Sequence, residues 1–541
     1  MPIGKNPPPG ASSSAPGVPS APRPAMSTPA SGAPAARAKM PAKVPDGLIT
    51  DVAAPQRPVA QAVAARQIAA PFESFMKVRT FEVDIARPGQ AQVETVVCHA
   101  LSGPGHNCSI AAPLMLDEHG LPRPVLKAGD TRAARTLRGE AYVKIGLIGG
   151  RWDKVGADAE AIGIDEIAEE IGADMVKGGY LPLGDKLVPT MPHESTEADR
   201  YFAAIVRVDA DDKATGDMSG MEVVGLMKPQ AMTVQSALQA MDDGSIGEGA
   251  RARVAYGRAL DKIGFIPELA AYVHDLPGAL KKRFSTLGLG APRDPRQLPA
   301  EIEADQGGHG APPAPHEKAA EVDGVKFVSR DDVPIDGSTV MLDAETAHLA
   351  KDTQVGGAFQ NQILHVGYDR AKVVTFHDDP VQGPMVRLRP TPRPVMAAKG
   401  LAMDDERSYK DENVALLALD VDELAVDLEG AVGTAAADAV DGAVTDRFSS
   451  GSGGAISRLG APCDASPGQS DLRYHFYVNQ VDAPPAGAEK SEFIRLADAI
   501  ELCRGGEGDA ATEAALLRLA TRQRWLPQLG MSVDRAAKLA G

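Results

Sequence analysis

The segments VRTFEVDI (78–85), VETVVCHAL (93–101), CSIAAPLML (108–116) and AYVKIGLIG (141–149) have the apolar spacing and short length of strands. A helical pattern follows over about 158–172, strand signals return at RYFAAIVRV and MEVVGLM, and the segments after them are again helical. Within the 158–172 pattern, Ile164, Ile167, Ala168 and Ile171 form one apolar stripe at 100° per residue, with Glu166, Glu169 and Glu170 together on the other side. A second block, from about 323 onward, runs through a similar order. The pattern predicts an α+β fold, twice.

The chain has 541 residues, 43% of them apolar and 24% charged, which is too long for one ordinary core. Residues 1–68 are rich in Pro, Ala, Ser and Gly and predict a disordered arm; 291–322 have the Pro/Gly/charge mixture of a linker. The blocks are then 69–290 and 323–541. No apolar run reaches the roughly 18 residues of a membrane span, so no membrane partner is expected. A net charge of −17 argues against a duplex nucleic acid partner. Cys98, Cys108, Cys463 and Cys503 are too few and too scattered for a disulfide framework, which points to the cytoplasm. The arm has no acidic residue before Asp46 and no signal-peptide core. It resembles the Ser/Pro-rich leaders of type III secreted effectors, and a secreted effector is the alternative location.

Two sets of identities tie the blocks together. Arg200-Tyr201 matches Arg473-Tyr474, each followed by an apolar run to Val-Asp-Ala. Gly247-Glu248-Gly249 matches Gly506-Glu507-Gly508, and Phe265 to Leu269 matches Trp525 to Leu529. Their shared order predicts two copies of one fold.

Glu166, Glu169 and Glu170 repel one another, and no Lys or Arg lies three or four residues away on the helix to offset them. A divalent cation offsets such a cluster, and Mg²⁺ takes hard carboxylate oxygens while bridging to phosphates. The alternative is a solvated outer helix face.

The segment DEIAEEIGA (165–173), with Gly149-Gly150 ahead of it, resembles the second half of the Nudix box, G-x5-E-x7-R-E-U-x-E-E-x-G-U. Asp165 stands where that pattern has its arginine, and Ala157 where it has its early glutamate. The following YLPLGDKLVPTMPHESTEADRYFAAIV resembles the strand, loop and strand of ADP-ribose pyrophosphatase-like members, as does RLGAPCDASPGQSDLRYHFYV in the second block, whose box region (429–451) has no E-x-x-E-E. The resemblance implies two tandem Nudix-like domains, each a mixed sheet in an α/β/α sandwich. It implies Mg²⁺ or Mn²⁺ on Glu166, Glu169 and Glu170, with Glu194 or Glu197 as the catalytic base. Arg393, in the run VRLRPTPR, is the candidate for a diphosphate contact.

The activity this implies is metal-dependent hydrolysis of a nucleoside diphosphate derivative of ADP-ribose type by the first block, the second being a noncatalytic copy. The alternative is an inactive nucleotide-binding or interaction scaffold. A homodimer or an internal pseudo-dimer is expected in either case. Three other groups read as structural: Thr375 to Asp379 as a solvated turn, the Cys98-His99 and His106/Cys108 stretch as strand residues, and the acidic run Asp420 to Glu429 without the pattern of a calcium loop.

Overall fold

Strands at period two with helices between them assemble, in the computed structural model, into two sheets of matching design. The structure describes residues 61–269 with breaks at 74–76, 87–91, 103–106, 118–120, 132–142, 153–157 and 210–227. It describes 321–540 with breaks at 323–324, 328–339, 343–344, 356–358, 367, 403–416, 429–430, 432, 453, 468 and 485–492. The first sixty residues of the expected arm and most of the expected linker therefore lie outside the described residues, as does MEVVGLM.

The first block contains β1 (Gln61–Glu73), β2 (Lys77–Ala86), β3 (Val93–Ser102), β4 (Asn107–Leu116), β5 (Pro122–Thr131), β6 (Val143–Gly146) and β7 (Ile148–Arg151). Helix α1 (Ala159–Ile171) comes next, then β8 (Asp174–Pro182), β9 (Val188–Pro189), β10 (Ala198–Arg207), β11 (Lys228–Ala231), α2 (Val234–Asp242) and α3 (Gly249–Ile263). Strand β1 begins inside the segment expected to be an arm, because Gln61 to Glu73 pair antiparallel with β2 despite their Ala-rich composition. Five short strands follow: β12 (Glu321–Val322), β13 (Val325–Phe327), β14 (Val340–Leu342), β15 (Glu345–Val355) and β16 (Phe359–Val366).

The second block contains β17 (Tyr368–Asp379), β18 (Gly383–Arg387), β19 (Arg389–Pro392), α4 (Pro394–Ala402), β20 (Leu417–Asp420), β21 (Asp422–Asp427), α5 (Gly433–Ser452), β22 (Ala455–Arg458), β23 (Cys463–Asp464) and β24 (Arg473–Gln480). It ends with β25 (Phe493–Arg495), α6 (Leu496–Arg504), α7 (Ala510–Arg522), β26 (Trp525–Leu526), β27 (Met531–Ser532) and α8 (Val533–Ala540).

The main sheets have the orders β11-β5-β4-β10-β8 and β25-β18-β17-β24-β22. In each, one central pair is parallel, β4 with β10 and β17 with β24, and the outer pairs are antiparallel. Strands β7 and β21 add to β4 and β17 in the same way, and β9 and β23 to β10 and β24. Helices α1 and α5 occupy the same place in the chain order, after β7 and β21 and before β8 and β22.

The pairing corrects the sequence alignment by two residues. Val188 and Pro189 pair with Asp199 and Ala198, whereas Cys463 and Asp464 pair with Tyr474 and Arg473. Asp199 is therefore the counterpart of Tyr474, and the Arg-Tyr identities lie on matching strands out of step. A two-residue slip keeps every side chain on its face, which is why the pattern hid it. The same slip recurs at the helices: Glu248 precedes α3 as its N-cap, but Asp509, not Glu507, precedes α7. The last anchor holds, since Pro267 and Pro527 each open a 3₁₀ turn.

Both faces of each sheet are covered, and β4 is buried along its whole length. On one face, Ala111, Phe202 and Ala204 meet Ile167 and Ile171 of α1. On the other, Ile110, Ala112, Tyr201 and Ala203 meet Ala255, Tyr256 and Ala259 of α3. The second sheet repeats this, with Ala371, Val373 and Tyr477 against Val440 and Val444 of α5. Its opposite face, with Val374, Phe376 and Phe476, joins α6, α7 and the α3 side of the first sheet in one shared core. Helices α3 and α7 cross at Gly257, where a Cβ would lie 3.1 Å from Leu517 Cδ1. The small first sheet is covered by a helix of the second block, with Val395, Ala397 and Ala398 of α4 against Phe81, Val83 and Ile85. No helix among the described residues is long and apolar enough to cross a membrane.

Candidate functional site

Helix α1 forms because Asp158 caps it, accepting from Glu160 N at 3.1 Å, and Gly172 ends it at φ 69°, a conformation that suits glycine. Its buried stripe is narrower than the sequence suggests: Ile167 and Ile171 are buried, but Ala168 is exposed. Rotating the stripe toward Gly163, which lies against the Phe202 ring, carries Glu170 inward.

The three glutamates consequently part company. Glu169 is exposed, Glu166 is half-buried and Glu170 is buried. Glu166 lies over the backbone of Gly150, where a Cβ would come within 1.8 Å of its Oε1. Glu170 accepts from Gly149 N at 3.1 Å and forms an ion pair with Lys127 Nζ, which also lies 3.3 Å from Asp130 Oδ1. The offsetting charge absent from the helix comes from β5. Mg²⁺ requires near-octahedral oxygen ligands and usually keeps several waters. The residues present do not fit it, because an ammonium already stands between the two buried carboxylates.

Glu194 and Glu197 lie in the turn between β9 and β10, which is held by Met191 O accepting from Glu194 N and Ser195 N at 3.1 and 2.8 Å. The equivalent turn in the second block has Ser466 O accepting from Gln469 N and Ser470 N at 2.9 Å each. The two turns meet, with Ser195 Oγ donating to Gln469 Oε1 at 3.1 Å. Glu194 is buried, accepts from Tyr368 Oη at 2.9 Å and is ion-paired with Arg370. Glu197 is buried beside Arg151 and Arg251, at 3.2 and 3.3 Å. Along β10 it shares the side of Tyr201, toward α3, whereas α1 and its glutamates lie on the other face. Glu197 is thereby turned to the face opposite the α1 glutamates.

Glu197 does belong to a tight cluster with Cys108 and Asp199, whose ligand atoms all lie within 4.8 Å of one another. Burial pushes the Cys108 thiol far up, and burial pushes Asp199 up to about 6 against the opposing pull of Arg251. Arg251 grips Asp199 with Nε at 2.8 Å and a terminal nitrogen at 2.6 Å. A guanidinium in that position already supplies the positive charge between these carboxylates. This cluster is also ill-suited to a divalent cation.

Arg393, expected to meet a diphosphate, is buried and donates to Asp420 Oδ1 at 2.8 Å. It belongs to a buried charge network in which Lys372 pairs with Glu423 and, at 2.7 Å, with Asp509. Thr375 to Asp379 are strand and not the expected turn: all lie in β17, Thr375 and Phe376 are buried, and the turn begins beyond them, where Asp379 Oδ1 accepts from Val381 N and Gln382 N. Cys98 is buried, and His106 lies outside the described residues. A groove of 260 Å³ runs beside Gly184, Arg258, Asp261, Lys262 and Arg504. Arg504 is paired there with Asp261, and Arg258 with Glu513.

Lys127, Arg251, Tyr368 and Arg370 are functional neighbours that the sequence patterns did not single out. A signal existed for Lys127, a lone cation flanked by apolar residues in the strand segment PVLKA. A buried cation in such a place requires a buried acid nearby.

No protein-family model matches the chain, and no curated protein matches it. A solved structure described as an ADP compounds hydrolase is a weak structural neighbour, with a TM-score of 0.28 and 13% identity. The match covers 38% of this chain and 97% of that one.

Proposed function

We propose that the protein is a nonhydrolytic interaction scaffold built from two degenerate Nudix-like copies joined as an internal pseudo-dimer. One observation carries this reading: four of the acidic side chains placed at or near the implied chemistry are matched by built-in cations. Glu170 has Lys127, Glu194 has Arg370, Glu197 has Arg151 and Arg251, and Asp199 has Arg251. A carboxylate engaged by a guanidinium or an ammonium has fewer lone pairs to offer a water or a metal. One of these pairs, Glu194 with Arg370, joins the two blocks, and the others tie together elements of the first.

A second reading, Mg²⁺- or Mn²⁺-dependent hydrolysis of a nucleoside diphosphate derivative, keeps support from Glu169, which is exposed on the helix that packs beside the Gly149-Gly150 backbone. The experiment that separates them is a product screen of the full chain with ADP-ribose, nucleoside diphosphate sugars and dinucleoside polyphosphates, with each metal in turn. The scaffold reading expects no product above that of a Glu169→Gln control. Turnover by the wild type that Glu169→Gln abolishes while the fold is kept replaces it with the hydrolase reading.

A further inference from the structure

We propose that Glu197 and Asp199 together hold one proton near neutral pH, and that this proton tightens the contact between the two blocks at the β9–β10 turn. The proposal concerns the junction of the blocks and is independent of turnover.

The charge count around the pair requires it. Arg251 donates to Asp199 from Nε and Nη2, and to Glu248 Oε1 from Nη1 at 2.8 Å. The same Nη2 lies 3.3 Å from Glu197 Oε1, so the two carboxylates converge on one nitrogen. Arg151 of β7 is the second cation, 3.2 Å from Glu197 Oε2. Tyr201 Oη donates to Asp199 Oδ2 at 3.0 Å, and Arg258, over the Tyr201 ring, is matched by Glu513. Cys108 of β4 adds no charge, because burial holds its thiol neutral. Glu197, Asp199 and Glu248, only 2%, 0% and 6% exposed, therefore face Arg151 and Arg251 with one negative charge in excess. A buried excess charge is costly, and proton uptake removes it.

Two local features agree. Glu197 Oε2 is buried and, for all its nearness to Arg151, accepts no hydrogen bond among the described residues. Asp199 is pushed up to about 6 by burial, opposed by Arg251 and aided by Glu197. Sites coupled in this way titrate as a pair, so the proton belongs to both.

Glu197 also ends the turn that meets the second block. Ser466 Oγ donates to its Oε1 at 3.4 Å. Ser195 Oγ accepts from Glu197 N at 3.1 Å and donates to Gln469 Oε1 at 3.1 Å. Ionising both carboxylates places the excess charge at this junction, and protonating one removes it. A carboxyl raised in the folded state costs stability above its folded pKa, and that cost fades as pH falls toward the unfolded value of about 3.9. The contact is therefore tighter at pH 5 than at pH 7.5.

The test uses the full chain and follows urea unfolding between these two pH values. On acidification the wild type should gain about tenfold in its folding equilibrium constant relative to Asp199→Asn and to Glu197→Gln, as expected for one proton taken up near pH 6. Amide exchange, corrected for its intrinsic pH dependence, should show Ser195 and Gln469 better protected at pH 5 in the wild type and equally protected at both pH values in Glu197→Gln. The proposal is overturned if the wild type and both variants gain equally on acidification, or if the wild type loses ground to them. It is also overturned if the gain comes without a change in protection at the turns. Where the variants fail to fold, wild type with labelled aspartate and glutamate carboxyls decides: a carboxyl titrating between pH 5 and 7 supports the proton, and none overturns it.

Discussion

Arg370 on β17 is ion-paired with Glu194, 176 residues earlier in the chain, and Tyr368 donates to the same carboxylate at 2.9 Å. The pair is buried and joins the two blocks across their turns. Glu194→Ala keeps Glu423 beside Arg370 but removes the acid shared with Tyr368, so the variant should lose about 3 kcal/mol of stability by urea unfolding. Adding Arg370→Met should return part of that loss, giving a coupling above roughly 1 kcal/mol. An unchanged unfolding midpoint in Glu194→Ala would show that the contact contributes nothing across the interface.

Two helical glycines make opposite predictions. Replacing Gly by Ala in a helix interior is worth about 1 kcal/mol where space allows. Gly442 of α5 is exposed with nothing within 4 Å of where a Cβ would stand, so Gly442→Ala should stabilise by about that amount. At Gly163 a Cβ would lie 2.0 Å from the Phe202 ring, so overpacking exceeds the propensity gain and Gly163→Ala should destabilise by about 1–3 kcal/mol. Paired thermal melts read both signs.

Asp369 supplies a pH dependence. Burial alone raises its pKa, but the hydrogen bond from His475 at 2.8 Å and the ion pair with Arg473 outweigh that and hold it below the ordinary value. A carboxyl lowered in the folded state contributes stability above its unfolded pKa of about 3.9, and that stability is lost as pH falls through the folded value. The melting-temperature gap between wild type and Asp369→Asn should be widest near pH 7 and narrow below about pH 4. A gap that widens on acidification reverses the sign and the assignment.

The shared core makes a fourth expectation. A protease site introduced between 291 and 320 should yield two pieces that still co-elute, because α3 and α7 pack together and Arg258 is ion-paired with Glu513. Adding Glu513→Ala, which leaves Arg258 buried without that acid, should release the pieces at lower urea. Separation of the nicked wild type in buffer alone would mean that the blocks are independent.

Much of this organisation was legible from the chain. The apolar spacing marked several strands of the first block, because it is a local property of the chain. The two-residue slip of Arg200-Tyr201 against Arg473-Tyr474 was not legible, since it preserves the face of every side chain. The fate of Glu170 was hidden for another reason: Lys127 is 43 residues away in sequence, and accounting along one helix cannot see a partner on a strand. Arg393 read as a candidate for a diphosphate contact, but its acid, Asp420, is 27 residues further on and equally buried. Long-range ion pairs follow from tertiary packing, and only their lone cations in apolar strands announce them.

The crossing of α3 with α7 also sets a timetable. Helix α3 is complete at Ile263, but its partner begins at Ala510, nearly half the chain later. At about 5–20 residues per second, the apolar side of α3 waits on the order of 10–50 s on the ribosome before α7 exists to cover it. During that interval Gly257 and Arg253, which in the finished fold meet Leu517 and Thr521 of α7, belong to an unfinished surface that α7 of a neighbouring nascent chain would cover equally well. The internal pairing of α3 with α7 therefore makes synthesis a race between folding in cis and swapping in trans.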